Sequence, residues 1–458
     1  MTASLADSAI HAGLFGDPET GAFFTDDARI RTMLRVEGAL ARVQGELGLI
    51  PQDAARAIER AAAEIVIDPV ALAARTARDG VPVPALLAAF RQAMGAPARA
   101  QYLHWGATSQ DIMDTALALR LGQAVALWQD RLGRLIAALG DLARRHAELP
   151  MAARSYGQAA TPTGFGAVVA GWGQPLIRHH ARLARARDGI AVVSLGGAAG
   201  TLSAMGPRGP AVRAALAQAL GLADPGHSWH AQRDGIGAFA AALAGLATSL
   251  GKFGEDLILM SQSGIAEITL ADSGGSSTMP QKRNPVGPSV LVALARQAGT
   301  LAGAIQQAGL HRQQRDGAAW FLEWLTLPQL CISVGRALSL GLELATTIRP
   351  DPESMARGLD EETGLIHAEA LSFALARLMP RPEAEARIKA LCGEALARRV
   401  PLGRLVAEAF PGLDLAPAAP LGCAPDEARG FADAALAFAR PAPGDAAPGE
   451  AARDPGQP

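Results

Sequence analysis

The sequence predicts an all-α fold, and three observations carry that expectation. Of the 458 residues 49 % are hydrophobic but only 4 % aromatic, so any core is built from Ala, Leu, Val and Ile. Ala and Leu are strong helix formers. Two long apolar series recur at steps of three and four: Leu117, Leu121, Val125, Trp128, Leu132, Leu135, Leu139 and Leu142, then Ile236, Phe239, Leu243, Leu246, Leu250, Phe253, Leu257 and Met260. Each places one apolar seam along a helix of about 25 residues, roughly 40 Å long at 1.5 Å per residue. Such a seam exceeds what one compact domain needs and suits packing against helices of other subunits.

The other elements follow in order. Residues 16–21, Gly-Asp-Pro-Glu-Thr-Gly, read as a turn, and Asp26-Asp27 can cap a helix carrying Met33, Val36, Leu40, Val43 and Leu47 before Pro51. Shorter helices over 52–100 break at Gly80-Val81-Pro82 and at Pro84. The first long helix starts near 109 and stops by Pro150. Gly196 to Gly200 and Gly206 to Gly209 lack a preceding strand and the G-x-G-x-x-G spacing, so a turn or close backbone approach is expected there, not a phosphate cradle. A further helix begins near Pro288 with Leu291, Leu294, Leu301 and Ile305, and shorter helices over 365–378 and 384–396 follow Pro350. These readings divide the chain into an N-terminal helical domain (1–103), a central long-helix domain (104–348), a C-terminal helical domain (349–440) and a Pro/Gly/Ala-rich tail (441–458) expected to be disordered.

Composition excludes several classes. A net charge of −2 with scattered Lys and Arg gives no basic face for nucleic acid. Cys331, Cys392 and Cys423 are too few and too widely spaced for a disulfide framework or thiolate cluster, which fits a reducing cytoplasm. The first fifteen residues lack a basic, then apolar leader, and no uninterrupted apolar run reaches the length of a membrane span. No histidine pair has ligand spacing beside a carboxylate, so no metal site is expected.

Three polar islands interrupt the apolar pattern, each expected at the end of a helix. The first is His104-Trp105-Gly106-Ala107-Thr108-Ser109-Gln110-Asp111, where Thr108 or Ser109 either caps the first long helix or offers a hydroxyl to a carboxylate at its positive end. The second is Arg154-Ser155-Tyr156-Gly157-Gln158, in which Arg154 suits a bidentate carboxylate contact. The third is Gly274-Gly275-Ser276-Ser277-Thr278-Met279-Pro280-Gln281-Lys282-Arg283-Asn284-Pro285. Its glycines and prolines make it a loop, and its hydroxyls, amides, ammonium and guanidinium suit closure over an anion. Among the histidines, only His104 lies in an island and is expected to touch substrate. His230 and His311 are read as structural, His146, His179 and His180 as solvated helix positions, and the Trp320–Trp324 pair as packing.

Residues 275–285 resemble the G-S-S-x-M-P-x-K-x-N-P loop of the fumarase/aspartase superfamily, and the other islands are similar to its remaining shared segments in type and order. The resemblance spans roughly residues 20–440. It implies a homotetramer with a twenty-helix core and active sites each shared between three subunits. Within the superfamily the chain looks like the bacterial 3-carboxy-cis,cis-muconate cycloisomerases of protocatechuate breakdown, in the β-ketoadipate pathway. The shared stretches are 104–111, Leu195 to Thr201, Trp229-His230-Ala231-Gln232-Arg233-Asp234 and Trp320 with Glu323-Trp324-Leu325. Adenylosuccinate and argininosuccinate lyases carry Thr-His where this chain has Ser155-Tyr156. The cycloisomerases carry Trp there and also lack the histidine.

That resemblance implies chemistry through a carbanion beside a carboxylate. Ser276 would transfer the proton, and Lys282 and Asn284 would hold the charge of the aci-carboxylate. His104, Thr108, Ser109, Arg154, Ser155, Tyr156, Gln158, Ser277, Met279 and Arg283 would bind a small tricarboxylate. Two other readings stay open: a superfamily lyase that releases fumarate, and a helical scaffold without catalysis.

Overall fold

The computed structural model describes residues 4–271, 274–275, 278–359, 363–413 and 421–439. Ser276, Ser277 and the tail 441–458 lie outside the described residues. The fold is all-α apart from two short antiparallel ladders. It forms two compact units, residues 1–132 with 175–350, and residues 133–174 with 351–458.

In the larger unit, helix α1 (Asp26–Glu46) is capped by Thr25, whose hydroxyl accepts the Ala28 N–H at 3.2 Å. The expected Asp26-Asp27 cap is therefore one residue late. Both aspartates sit in the first turn, where they favour the helix dipole. Pro84 does not break a helix either, because it lies in the first turn of Val83–Met94, where its missing N–H costs nothing. Helix α2 (Ser109–Arg145) carries the first predicted seam and runs on into the smaller unit.

Antiparallel hairpin strands β1 (Pro150–Ser155) and β2 (Gln158–Gly164) follow, then helix α3 (Phe165–Ile190), which has Pro175 inside it. The second island thus sits on a hairpin and not at a helix end. Sequence periodicity also passed over α3. It leaves His179 buried, not solvated, with Nε2 2.9 Å from the Ser249 hydroxyl.

Helices α4 (Asp234–Met260), α5 (Val286–Ala308) and α6 (Gly317–Thr347) pack on one another. Glycines set the α4–α5 spacing: a Cβ on Gly251 would stand 2.6 Å from the Ala295 Cβ, and one on Gly254 2.9 Å from the Pro288 carbonyl. The pairings Gly237–Gln306 at one end and Gly254–Pro288 at the other make the two helices antiparallel. Helices α4 and α6 are each long and apolar enough to cross a membrane, with mean hydropathy 1.4 and 1.3. In the fold half or more of each such stretch is buried in the bundle, as in the core helix of a soluble protein.

The N-terminal segment is fastened to α2 through charge. Arg131 forks onto Asp17, Thr20 donates to Asp17 at 2.6 Å, and Trp128 Nε1 donates to Thr20 at 2.9 Å, all buried. Gly335 of α6 lies against this corner with no room for a Cβ.

In the smaller unit, His146 and Trp172 flank Phe165 edge-on, with ring centroids 5.8 and 6.3 Å away. Leu371, Leu375, Ile388, Leu402, Leu405 and Val406 form a separate core among the C-terminal helices.

Candidate active site

The first island is organised by Asp111. Its fully buried carboxylate accepts the Thr108 N–H at 2.9 Å, closing the N-terminus of α2 from the third helical position. It also accepts the N–H groups of Gly196 at 2.7 Å and Gly197 at 2.9 Å, and meets His230 Nε2 at 2.7 Å. The glycine-rich stretch is therefore the close backbone approach its composition predicted. Gly197 has φ +68°, and a Cβ on Gly196 would stand 2.6 Å from the Ser228 hydroxyl. With the carboxylate capping the helix, the Thr108 and Ser109 hydroxyls make no hydrogen bond among the described residues. Both stay half-buried at the positive end of α2, available to an anion.

Beneath Asp111 lies a second charged layer. Arg233 donates to Asp114 at 2.7 Å and twice to Glu323, and its guanidinium lies 4.7 Å from the Trp229 ring. Gln110 ties the layers by donating to Asp114 at 3.1 Å and to the His230 carbonyl at 2.9 Å. Its amide oxygen accepts from Arg315 Nε at 2.8 Å. His230 is buried, with Nε2 2.7 Å from the Asp111 carboxylate and Nδ1 3.5 Å from an Arg315 nitrogen.

Sequence reading missed Arg315, an exposed guanidinium brought to the first island across 205 residues. The polar run His311 to Asp316 between two apolar helices was the available signal. Trp320 and Trp324 meet edge-on at 4.6 Å, as the packing pair expected.

His104 stands at the edge of this cluster in a left-handed conformation, φ +67°. Its Nδ1 lies 2.6 Å from Oε1 of Glu37, a buried residue of α1. Burial lowers the imidazole pKa, but the charges of Glu37 and Asp111 outweigh burial and the opposing Arg91, so the net shift is upward.

The third island closes on itself. Gly274 N–H donates to the Asn284 carbonyl at 3.0 Å, and Asn284 N–H donates back to the Gly274 carbonyl at 2.8 Å, pinning the base of the loop two residues before α5. A Cβ on Gly274 would stand 2.6 Å from Val286, so glycine is needed at this base. Between the pinned ends Lys282, Arg283 and Met279 are exposed, and no carboxylate pairs with Lys282 or Arg283 among the described residues.

Within this unit the first and third islands are not brought together. Arg233 and Arg315 flank the N-terminus of α4 and the C-terminus of antiparallel α5, whereas the loop joins the opposite ends of those helices. The 27 residues of α4 separate them by roughly 40 Å at 1.5 Å per residue.

The second island belongs to the smaller unit. Ser155 pairs with Gln158 across a two-residue turn whose central residues, Tyr156 at φ +52° and Gly157 at +74°, match the primed turn that suits strand twist. Tyr156 is 104 % exposed at its tip, and Arg154, Ser155 and Gln158 are exposed beside it.

The chain belongs to a known class of enzymes. A family model described as Lyase matches residues 17–299, which places the chain in that family, within the fumarase/aspartase superfamily. Its relatives are more particular. The chain is 42 % identical to 3-carboxy-cis,cis-muconate cycloisomerase of Pseudomonas aeruginosa over 392 residues, 84 % of this chain and 85 % of that one. The crystal structure of 3-carboxy-cis,cis-muconate lactonizing enzyme from Pseudomonas putida matches with a TM-score of 0.88 at 35 % identity, covering 94 % of this chain and all of that one. At 34 % identity the chain also resembles nitrosuccinate lyase of Streptomyces davaonensis, over 89 % of this chain and 88 % of that one.

Proposed function

We propose that the protein is a cofactor-independent cycloisomerase that interconverts 3-carboxy-cis,cis-muconate and 4-carboxymuconolactone. The relatives' activity supports this, and one observation carries the choice among superfamily reactions. The turn at 155–156 presents Ser-Tyr, with no imidazole to serve the acid/base work of the eliminating lyases.

In the forward reaction one substrate carboxylate adds to a conjugated double bond of the same molecule. Tethering makes the nucleophile effectively intramolecular, so the protein's task is orientation and charge. Electron density moves onto a second carboxylate, which Lys282 and Asn284 hold as the aci form. Ser276 delivers the proton to carbon and is left as an alkoxide, which the ammonium of Lys282 stabilises until reprotonation. Arg154, Thr108, Ser109, Gln158 and Arg283 bind the remaining carboxylates, with His104, Ser155, Tyr156, Ser277 and Met279 completing the wall.

The separation of the first and third islands by the length of α4 supports a working site that draws them from different copies. The proposed assembly is a cytoplasmic homotetramer with a twenty-helix core and three subunits contributing to each site. The three-part domain division of the sequence is retained within that proposal.

The experiment is an ultraviolet assay of diene loss from 3-carboxymuconate, repeated with Ser276→Ala. Rapid diene loss that disappears in the variant is the expected result. Turnover of adenylosuccinate with none of 3-carboxymuconate would overturn the substrate, and full activity of the variant would overturn the role of Ser276.

A further inference from the structure

The carboxylate behind His104 has no evident structural task. Glu37 sits on the fourth turn of α1 and is 1 % exposed, yet its Oε1 is spent wholly on His104 Nδ1 at 2.6 Å and its Oε2 has no hydrogen-bond partner. A buried carboxylate with one oxygen unmet costs stability unless a cation neutralises it. The only basic group within hydrogen-bond reach of it, among the described residues, is that imidazole.

The histidine itself is held in a conformation few non-glycine residues adopt, φ +67°. Its side chain is 14 % exposed, and Nε2 meets no partner among the described residues. One ring nitrogen is therefore anchored on an acid in the core, while the other is left without a described partner four and five residues before Thr108 and Ser109 in the chain.

We propose that Glu37 is a positioning residue that fixes His104 as an imidazolium, so that Nε2–H grips a substrate carboxylate as a charged donor. This rests on the cycloisomerase reading only for the identity of the carboxylate; the pairing is a property of the free protein. The substrate gains a charge-assisted hydrogen bond at the rim of the α2 N-terminus, whose dipole favours the same anion. Three charged groups on three elements face the imidazole: Glu37 on α1, Asp111 on α2 and Arg91 on the helix Val83–Met94. Arg91 opposes the charge, while its Nη2 is tied to the Leu103 carbonyl at 3.2 Å. The two acids outweigh it.

Two measurements test the proposal. The first follows deuterium exchange at the imidazole C2 of His104 by mass spectrometry across pH, in the wild-type chain and in Glu37→Gln. His104 of the wild type is expected to titrate above the ordinary histidine range, and the variant to titrate lower. Titration of the wild-type residue at or below the ordinary value of about 6.5 would overturn the proposal without any variant having to fold.

The second is the pH profile of turnover of 3-carboxymuconate. In Glu37→Gln the high-pH limb of kcat/KM is expected to move to lower pH, with KM rising about tenfold, the worth of one charge-assisted bond, and kcat little changed. Superimposable profiles, or loss confined to kcat, would sink the substrate contact. If 3-carboxymuconate is not turned over while the exchange shift is present, the cycloisomerase reading fails and the Glu37–His104 pairing stands.

Discussion

Arg233 grips Glu323 through two nitrogens, Nε at 2.9 Å from one oxygen and Nη2 at 2.6 Å from the other, with both side chains only 1 % exposed. The same guanidinium holds Asp114, so a single cation neutralises two buried acids beneath the first island. Replacing it with Met would strand both carboxylates, and breaking a buried pair from one side costs about 3–5 kcal/mol. Arg233→Met is expected to lose that much in denaturant unfolding. A loss below about 1 kcal/mol, the level of an average substitution, would mean that the acids find other relief.

Lys282 makes a contrasting case. It is exposed on the pinned loop and pairs with no carboxylate among the described residues, so removing its charge strands no described acid. Lys282→Met should keep the wild-type melting temperature while kcat falls by about two to three orders of magnitude, the usual effect of deleting a donor to a developing anion. Unchanged kcat would move the charge-stabilising role elsewhere.

Tyr156 separates folding from function in the same way in the other unit. As an exposed turn residue it should tolerate Tyr156→Asn, since Asn also accepts positive φ, with stability within about 0.5 kcal/mol. Activity toward 3-carboxymuconate should drop, mostly in KM, through loss of ring and hydroxyl. Steady-state kinetics beside a thermal melt check both halves, and unaltered kinetics would remove Tyr156 from the substrate wall.

His179 gives the fold a pH dependence of its own. Burial first, then Arg182 and Arg178, push its pKa down to about 4 from the ordinary 6.5. The folded state thus prefers the neutral ring, which the Ser249 hydroxyl engages. The contribution is complete above pH 6.5 and is lost as pH falls toward 4, because the unfolded chain takes up the proton first. Denaturant midpoints measured from pH 7 to pH 4.5 should therefore decline, and less steeply in His179→Gln. Parallel curves would show that the ring is solvated after all.

Much of this architecture was legible in the residues, for physical reasons that also mark the limits. Helix α4 announced itself because only one of its faces is apolar and large, which leaves a stripe of Phe and Leu at helical spacing. Helix α6 did not, since Ala319, Trp320, Leu327, Leu330, Cys331, Val334 and Leu338 bury several of its faces and no stripe survives. In α3, Pro175 and a His/Arg-rich face hid the period. The loop Gly274–Pro285 stood out through its chain-local chemistry, whereas Glu37 and Arg315 joined the site across 67 and 205 residues, distances over which a linear pattern carries no signal. The hairpin was missed because its only turn signal is Gly157 and its strands do not alternate polar with apolar.

The tip at Tyr156-Gly157 carries a broader implication. Under the proposed function, Tyr156 is a recognition group on a solvent-facing bend, replaceable by one or two codon changes while the buried framework stays intact. On that reading, a change at the bend would alter substrate choice and leave the loop Gly274–Pro285 as it is.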